Sequence, residues 1–167
     1  MKKRILSILL LCCMVLTMLP TTVLAADGPM DTIPKYDVSI DVYNRTSDIS
    51  IKDSRSYYIY SSVPDKLRDT WAWDKKIFIK GDKTAPHVFI DGVHIEMSPS
   101  SKGPAIELNK KASAYLYFIG RDSTLQGADG RAAIQKNRSE GQLYVLARTG
   151  TTVTCKGGDK AAGIGGS

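Results

Sequence analysis

Asp129 and Asp159 each stand five residues ahead of an isoleucine, in the turns Gly127-Ala128-Asp129-Gly130 and Gly157-Gly158-Asp159-Lys160. Ca²⁺ takes about six to eight oxygen ligands, so two carboxylates in equivalent turns form a candidate metal site once those turns stack. The plainer reading is that Asp is a good turn residue after a small one. The Gly-rich nonapeptide of calcium-loaded β-rolls does not occur. The second candidate chemistry is sugar stacking. Trp71 and Trp73 share a face if their segment is extended, with Tyr57 and Tyr60 as neighbours, and flat exposed aromatics match the apolar C–H face of a pyranose. The alternative for the tryptophans is structural: they fill the irregular core at one end of the fold.

Catalytic patterns are thin. His94 lies between Val93 and Ile95 and so points outward from a strand, and His87 follows Pro86; neither has a Ser or Cys motif around it. Asp91 and Glu96 supply two carboxylates of the kind a glycosidase uses, but their sequence separation does not constrain their spacing. Lys110 and Lys111, the nearest basic pair for a lyase, follow Asn109 and read as solvated corner residues. Cys155, among Thr, Val and Gly, reads as a small inward residue rather than a nucleophile. Gly163-Ile164-Gly165-Gly166 has no helix after it to make a nucleotide loop. The sequons at Asn44 and Asn137 read as chance beside a bacterial-type signal. The expectation is a protein that is not an enzyme, with a polysaccharide lyase or hydrolase as the minority reading.

What must position these residues is a repeat. Gly103-Pro104-Ala105-Ile106, Gly130-Arg131-Ala132-Ala133-Ile134 and Lys160-Ala161-Ala162-Gly163-Ile164 recur at 28 and 30 residues, counted Ile to Ile. Before each Ile comes a β-branched or apolar patch (Val93 and Ile95; Thr124 and Leu125; Val153 and Cys155), and before that a longer run (87–90, 115–118, 143–146). Each period therefore holds three short strands parted by small polar turns. At about 3.3 Å per residue this is one closed rung, and rungs stacked about 4.8 Å apart bury what no single rung can. A propeller blade needs about 40 to 45 residues. The predicted fold is all-β, a right-handed parallel β-helix, with regular rungs over 86–167. Residues 36–85 alternate as strands (Val38, Ile40, Val42; Ile49, Ile51; Tyr57 to Tyr60; Ile77 to Ile79) and read as N-terminal capping strands with an irregular first rung.

Residues 1–25 read as a secretory signal: Lys2-Lys3-Arg4, an apolar run from Ile5 to Leu19, Pro20, and a small-residue site ending at Ala25. The run is too short for a membrane-spanning helix, so no stable membrane insertion is expected once it is cleaved. Residues 26–35 form a leader. Losing three basic residues and no acidic one lowers the formal net charge from +6 to +3, and the charges are interspersed, so a nucleic-acid partner is not expected. Cys12 and Cys13 leave with the signal, and the remaining Cys155 can form no intrachain disulfide. The last rung stops at Gly165-Gly166-Ser167 without a polar cap, so further rungs or domains beyond Ser167 are expected.

Several segments resemble those of secreted Gram-positive surface proteins built on right-handed parallel β-helices. Asp91-Gly92-Val93-His94-Ile95 is similar to their DGV-x-I strand, and Gly103-Pro104-Ala105-Ile106 to their G-x-A-I corner. Leu116 to Leu125 resembles their L-x-L-x-G-x-N-T-L rung, with Ser123 where Asn is usual. Thr151 to Gly166 resembles their AAGIGGG rung in compressed form. The resemblance covers 76–167, and 36–75 loosely. It implies a secreted or cell-surface module that binds polysaccharide or cell-wall glycan, sometimes with calcium, or serves as a structural stalk. The matching positions are those that form rungs, so the resemblance speaks to fold before function.

Overall fold

The computed structural model describes residues 34–101, 103–109, 111–137 and 140–166. The expected signal over 1–25, most of the 26–35 leader, Lys110 and Ser167 lie outside the described residues, as do Arg138 and Ser139 of the second sequon. The described residues belong to the unit Thr32–Ser167.

Among the described residues thirteen short strands follow one another: β1 (Val38–Asp41), β2 (Ile49–Ile51), β3 (Ser56–Tyr60), β4 (Ile77–Lys80), β5 (His87–Asp91), β6 (His94–Glu96), β7 (Ile106–Asn109), β8 (Ala114–Phe118), β9 (Ser123–Gln126), β10 (Ile134–Lys136), β11 (Leu143–Ala147), β12 (Val153–Lys156) and β13 (Ile164–Gly166). Every pairing among them is parallel and joins strands of successive turns. Three sheets result: sheet 1 (β1-β3-β5-β8-β11), sheet 2 (β2-β4-β7-β10-β13) and sheet 3 (β6-β9-β12), the last extended by a bridge from Trp73 to Ile95. The chain is an all-β solenoid of about four turns. The described helical turns are two short 3₁₀ segments, Asp65–Leu67 and Pro99–Ser101. Among the described residues no helix is long and apolar enough to cross a membrane.

The interior is organised by columns of like residues. Ile49, Ile77, Ile106, Ile134 and Ile164 are register partners through sheet 2. The three isoleucines of the repeat therefore share one column, fully buried at Ile106 and Ile134 and about half exposed at Ile164 in the last described turn, and it runs two strands further toward the N-terminus than the repeat suggests. Within 36–85, Ile49 and Ile77 keep the 28- to 30-residue spacing without the Gly and Ala companions that mark it later, and among the described residues sheet 3 is represented there by the Trp73 bridge alone, so these turns are less regular than those that follow. Ile40, Ile59, Ile90 and Phe118 form a second column in sheet 1, and Ile95 and Leu125 a third in sheet 3. Strand alternation sends the intervening side chains outward.

The corners are fastened from one turn to the next by side-chain oxygens. The amide N–H groups of Ser62, Lys76, Arg121 and Thr152 donate to carboxylates of Asp41 (3.0 Å), Asp48 (3.1 Å), Asp91 (2.9 Å) and Asp122 (2.7 Å). Ser113 Oγ does the same for Gln142 N–H (2.9 Å). Each acceptor satisfies a backbone donor that leaves the ladder where the chain bends. Elsewhere the corners admit no side chain: a Cβ on Gly158 would stand 2.0 Å from the Ala128 carbonyl oxygen of the previous turn.

Replacing Ile106 by Ala removes a fully buried side chain from the middle of the column and should cost about 2 to 5 kcal/mol in denaturant unfolding. Ser50→Ala, on the exposed outer face of the same sheet, should stay within about 0.5 kcal/mol. Asp122→Ala should cost roughly 1 kcal/mol by the same measurement, from the lost bond to Thr152.

Candidate binding surface

The outer face of sheet 1 carries the largest assembly of aromatic rings among the described residues. Strand alternation turns Tyr58 and Tyr60 of β3, His87 and Phe89 of β5, Tyr115 and Tyr117 of β8, and Tyr144 of β11 away from the core. Register then places His87, Tyr115 and Tyr144 in one row, and Tyr58, Phe89 and Tyr117 in the next. Adjacent strands lie about 4.8 Å apart, close to the distance at which rings stack. Tyr115 and Tyr144 stack at 4.5 Å and 2°, His87 and Tyr115 at 4.7 Å, Phe89 and Tyr117 at 5.1 Å. Tyr58 stacks on Tyr60 along its own strand at 5.1 Å, and Tyr36 covers Tyr58 at 5.2 Å.

This stacking decides what the surface offers. The π faces are largely spent on one another, burying Tyr58, Phe89 and the adjoining Ile119, while the half-buried Tyr60, Tyr115 and Tyr117 and the exposed Tyr144 form the rim. Ring edges carry the positive end of the aromatic quadrupole, so the rim suits oxygen-rich partners. Burial pushes the Tyr117 hydroxyl above the ordinary phenol range, with Tyr115 adding to it. Burial raises Tyr58 as well, with further support from its bond to Asp91 (2.7 Å) and that carboxylate's charge. Both stay neutral and can donate or accept. Tyr117 Oη lies 3.3 Å from His87 Nδ1.

One edge of the strip is held by a polar cluster. Asp91 accepts from Tyr58 Oη, from Arg121 N–H and from Arg121 Nε (3.2 Å), and the Arg121 guanidinium continues to the Ser61 carbonyl. Gly120, at φ +65°, sits against Asp91, where a Cβ would come within 2.7 Å of Oδ1. Beside this cluster Asp41 is opposed by burial, yet bonds from the Ser62 hydroxyl, the Tyr43 and Ser62 amides and the Arg121 charge hold its carboxyl below the usual range.

The residues expected to stack on sugar are not gathered here. Trp73 is 2% exposed, packs in the main core and donates Nε1–H to the Arg45 carbonyl (2.8 Å) in the β1–β2 connection; it fills the interior instead of facing a ligand. Tyr57 is inward and buried, its hydroxyl tied to Asp53 (2.7 Å). Trp71 is half-buried against the core and meets Tyr43 edge-on at 5.4 Å. Only Tyr60 of the four lies on the aromatic strip. After the 3₁₀ segment at Asp65–Leu67 the chain rejoins sheet 3 at Trp73, and both tryptophans turn to the main core instead of to solvent. The strip itself was readable as alternating aromatics in 58–60, 87–89 and 115–117; their common face was not.

Asp129 and Asp159 do stack, but through the backbone: Asp159 N–H lies 3.4 Å from Asp129 Oδ1, and Gly130 N–H donates to the Asp159 carbonyl (2.9 Å). Asp129 thus repeats the corner fastening seen at Asp122, and Asp159 has Lys160 Nζ 3.8 Å away. Among the described residues no group of three or more His, Cys, Asp or Glu side chains is placed to hold a metal. His94 is outward on sheet 3 between buried neighbours, as expected, and Glu96 shares its strand whereas Asp91 belongs to sheet 1. Lys111 pairs with Glu140 at 2.6 Å. Cys155 stacks on Leu125 and is half-buried, and burial pushes its thiol up, away from a reactive thiolate.

The chain matches no family model, no curated protein and no solved structure.

Two measurements follow from these contacts. Hydrogen bonds from the Arg55 side chain and then the Tyr57 hydroxyl hold Asp53 down to about 2, against its usual 3.8. A carboxylate depressed in the folded state contributes stability above its unfolded pKa and loses it as pH falls through the folded one. The stability of the wild type should therefore fall more steeply than that of Asp53→Asn between about pH 4 and pH 2, read by urea unfolding at each pH. Asp129→Ala should lower the melting temperature equally with and without added Ca²⁺, because the carboxylate serves the next turn's amide; a gain with Ca²⁺ confined to the wild type would contradict this.

Proposed function

We propose that the chain is a non-catalytic recognition module of an exported, cell-surface protein, in which the solenoid presents the outer face of sheet 1 to an extended polysaccharide. The observation that carries this reading is the set of eight stacked rings, Tyr36, Tyr58, Tyr60, His87, Phe89, Tyr115, Tyr117 and Tyr144, on one flat face. Mutual stacking holds them rigid before any ligand arrives, so little ordering cost remains at binding. Their rim offers phenol hydroxyls and an imidazole at intervals of one strand spacing, which suits a polymer of hydroxylated rings better than a small solute. The signal-like residues 1–25 and the resemblance to Gram-positive surface β-helices support the location. A lyase has no comparable support, since Asp91 is engaged by Arg121 and Tyr58, and Lys111 by Glu140.

A second reading, a rigid stalk, is favoured by the same ring contacts: faces turned onto each other stabilise the sheet, at about 0.5 to 1.5 kcal/mol per pair, and leave fewer open for sugar. The two separate by experiment. Retention on insoluble cell-wall polysaccharide should be lost in Tyr115→Ala/Tyr117→Ala and kept in Trp71→Ala. A wild-type chain that is not retained, with the double variant changed only in melting temperature, would leave the stalk.

A further inference from the structure

We propose a second ligand site, on the outer face of sheet 2, where Phe78, Lys80 and Lys52 take a carboxylate-bearing glycan unit. Phe78 points outward between Ile77 and Ile79, both fully buried, and is the aromatic residue of that face. Two ammonium groups attend its ring, Lys76 Nζ at 5.1 Å and Lys80 Nζ at 5.2 Å from the centroid. Their situations differ. Lys76 is engaged by Glu107 at 2.6 Å, and the other oxygen of Glu107 accepts Asn137 Nδ2–H (2.7 Å). Lys80 rests on the ring and meets no carboxylate among the described residues.

Lys52 makes that arrangement more than a snorkelling lysine over an apolar ring. Ile51 and Ile79 are register partners; Lys52 is the first residue past the end of β2 and Lys80 the last residue of β4, so the two lysines leave the same end of these neighbouring strands. Two ammonium groups brought near one another repel. Lys52 is exposed and has no acidic partner among the described residues. An anion seated between the two ammonium groups removes the repulsion, and Lys80, drawn to it, uncovers the face of Phe78.

The ligand that uses all three side chains carries an anion and an apolar C–H face on one small ring. A uronic acid unit does: its carboxylate meets the two lysines while its ring lies on Phe78. A simple inorganic anion would leave the aromatic face unused, and a neutral sugar would leave the lysines unpaired. The site is on a different sheet from the tyrosine strip and does not depend on it.

Affinity electrophoresis of the whole chain in gels containing polygalacturonate, dextran sulfate or neutral dextran tests the assignment. Retardation by polygalacturonate is expected, weakened roughly tenfold in Lys80→Gln and in Phe78→Leu, which keeps the apolar bulk but not the π face. Tyr115→Ala/Tyr117→Ala should leave it unchanged. Melting curves confirm that each variant is folded. Equal retardation by dextran sulfate and polygalacturonate, indifferent to Phe78→Leu, would reduce the site to ion exchange and overturn the proposal, as would no retardation by polygalacturonate. Retention on neutral insoluble polysaccharide reports separately on sheet 1.

Discussion

The structure depends on like side chains lying on like across parallel strands. A strand of three to five residues buries little by itself, and a parallel pair has no hairpin to hold it. What makes such strands stable is that Ile49, Ile77, Ile106, Ile134 and Ile164 repeat one side chain at one register position, so each turn completes the packing of the one before it. The cost of closing a loop of about 30 residues is incurred at every turn and offset at every turn by the same contacts.

The same rule operates on the outside with different side chains. Rings on sheet 1 stack on rings because register aligns them, and polar side chains on sheet 2 reach across turns in the same manner, as Lys76, Glu107 and Asn137 do. At the corners the rule is served by Asp and Ser, which take an amide of the next turn where the ladder breaks. Asp129, one of the two candidate calcium ligands, serves a corner in this way by accepting the Asp159 amide. The surface chemistry of a solenoid is thus first a by-product of stacking, and what stacking leaves open here is phenol hydroxyls on sheet 1 and the ammonium group of Lys80 over Phe78 on sheet 2.

Much of this was legible along the chain. The strand runs, their inward isoleucines, the three-strand period and the outward direction of His94 all follow from alternation and spacing, which are local properties. The first two turns were harder to see, because Ile49 and Ile77 carry Asp48 and Lys76 in front of them where the later turns have small residues. The period was present there without its usual companions. The tryptophans kept two readings open for a related reason: an apolar ring in a polar segment has the same sequence signature whether it faces solvent or turns back to fill a core.

The sequence by itself determined that the chain coils, at what period, and which side chains point inward, since a repeat of about 28 to 30 residues with one isoleucine per turn has few ways to bury its apolar half. Only the tertiary structure decided which outward residues become neighbours. Register between strands some 30 residues apart is set by the packing of the whole interior, so the gathering of Tyr115 onto His87, of Asp91 onto Tyr58 and Arg121, and of Lys76 onto Glu107 cannot be read from any one segment.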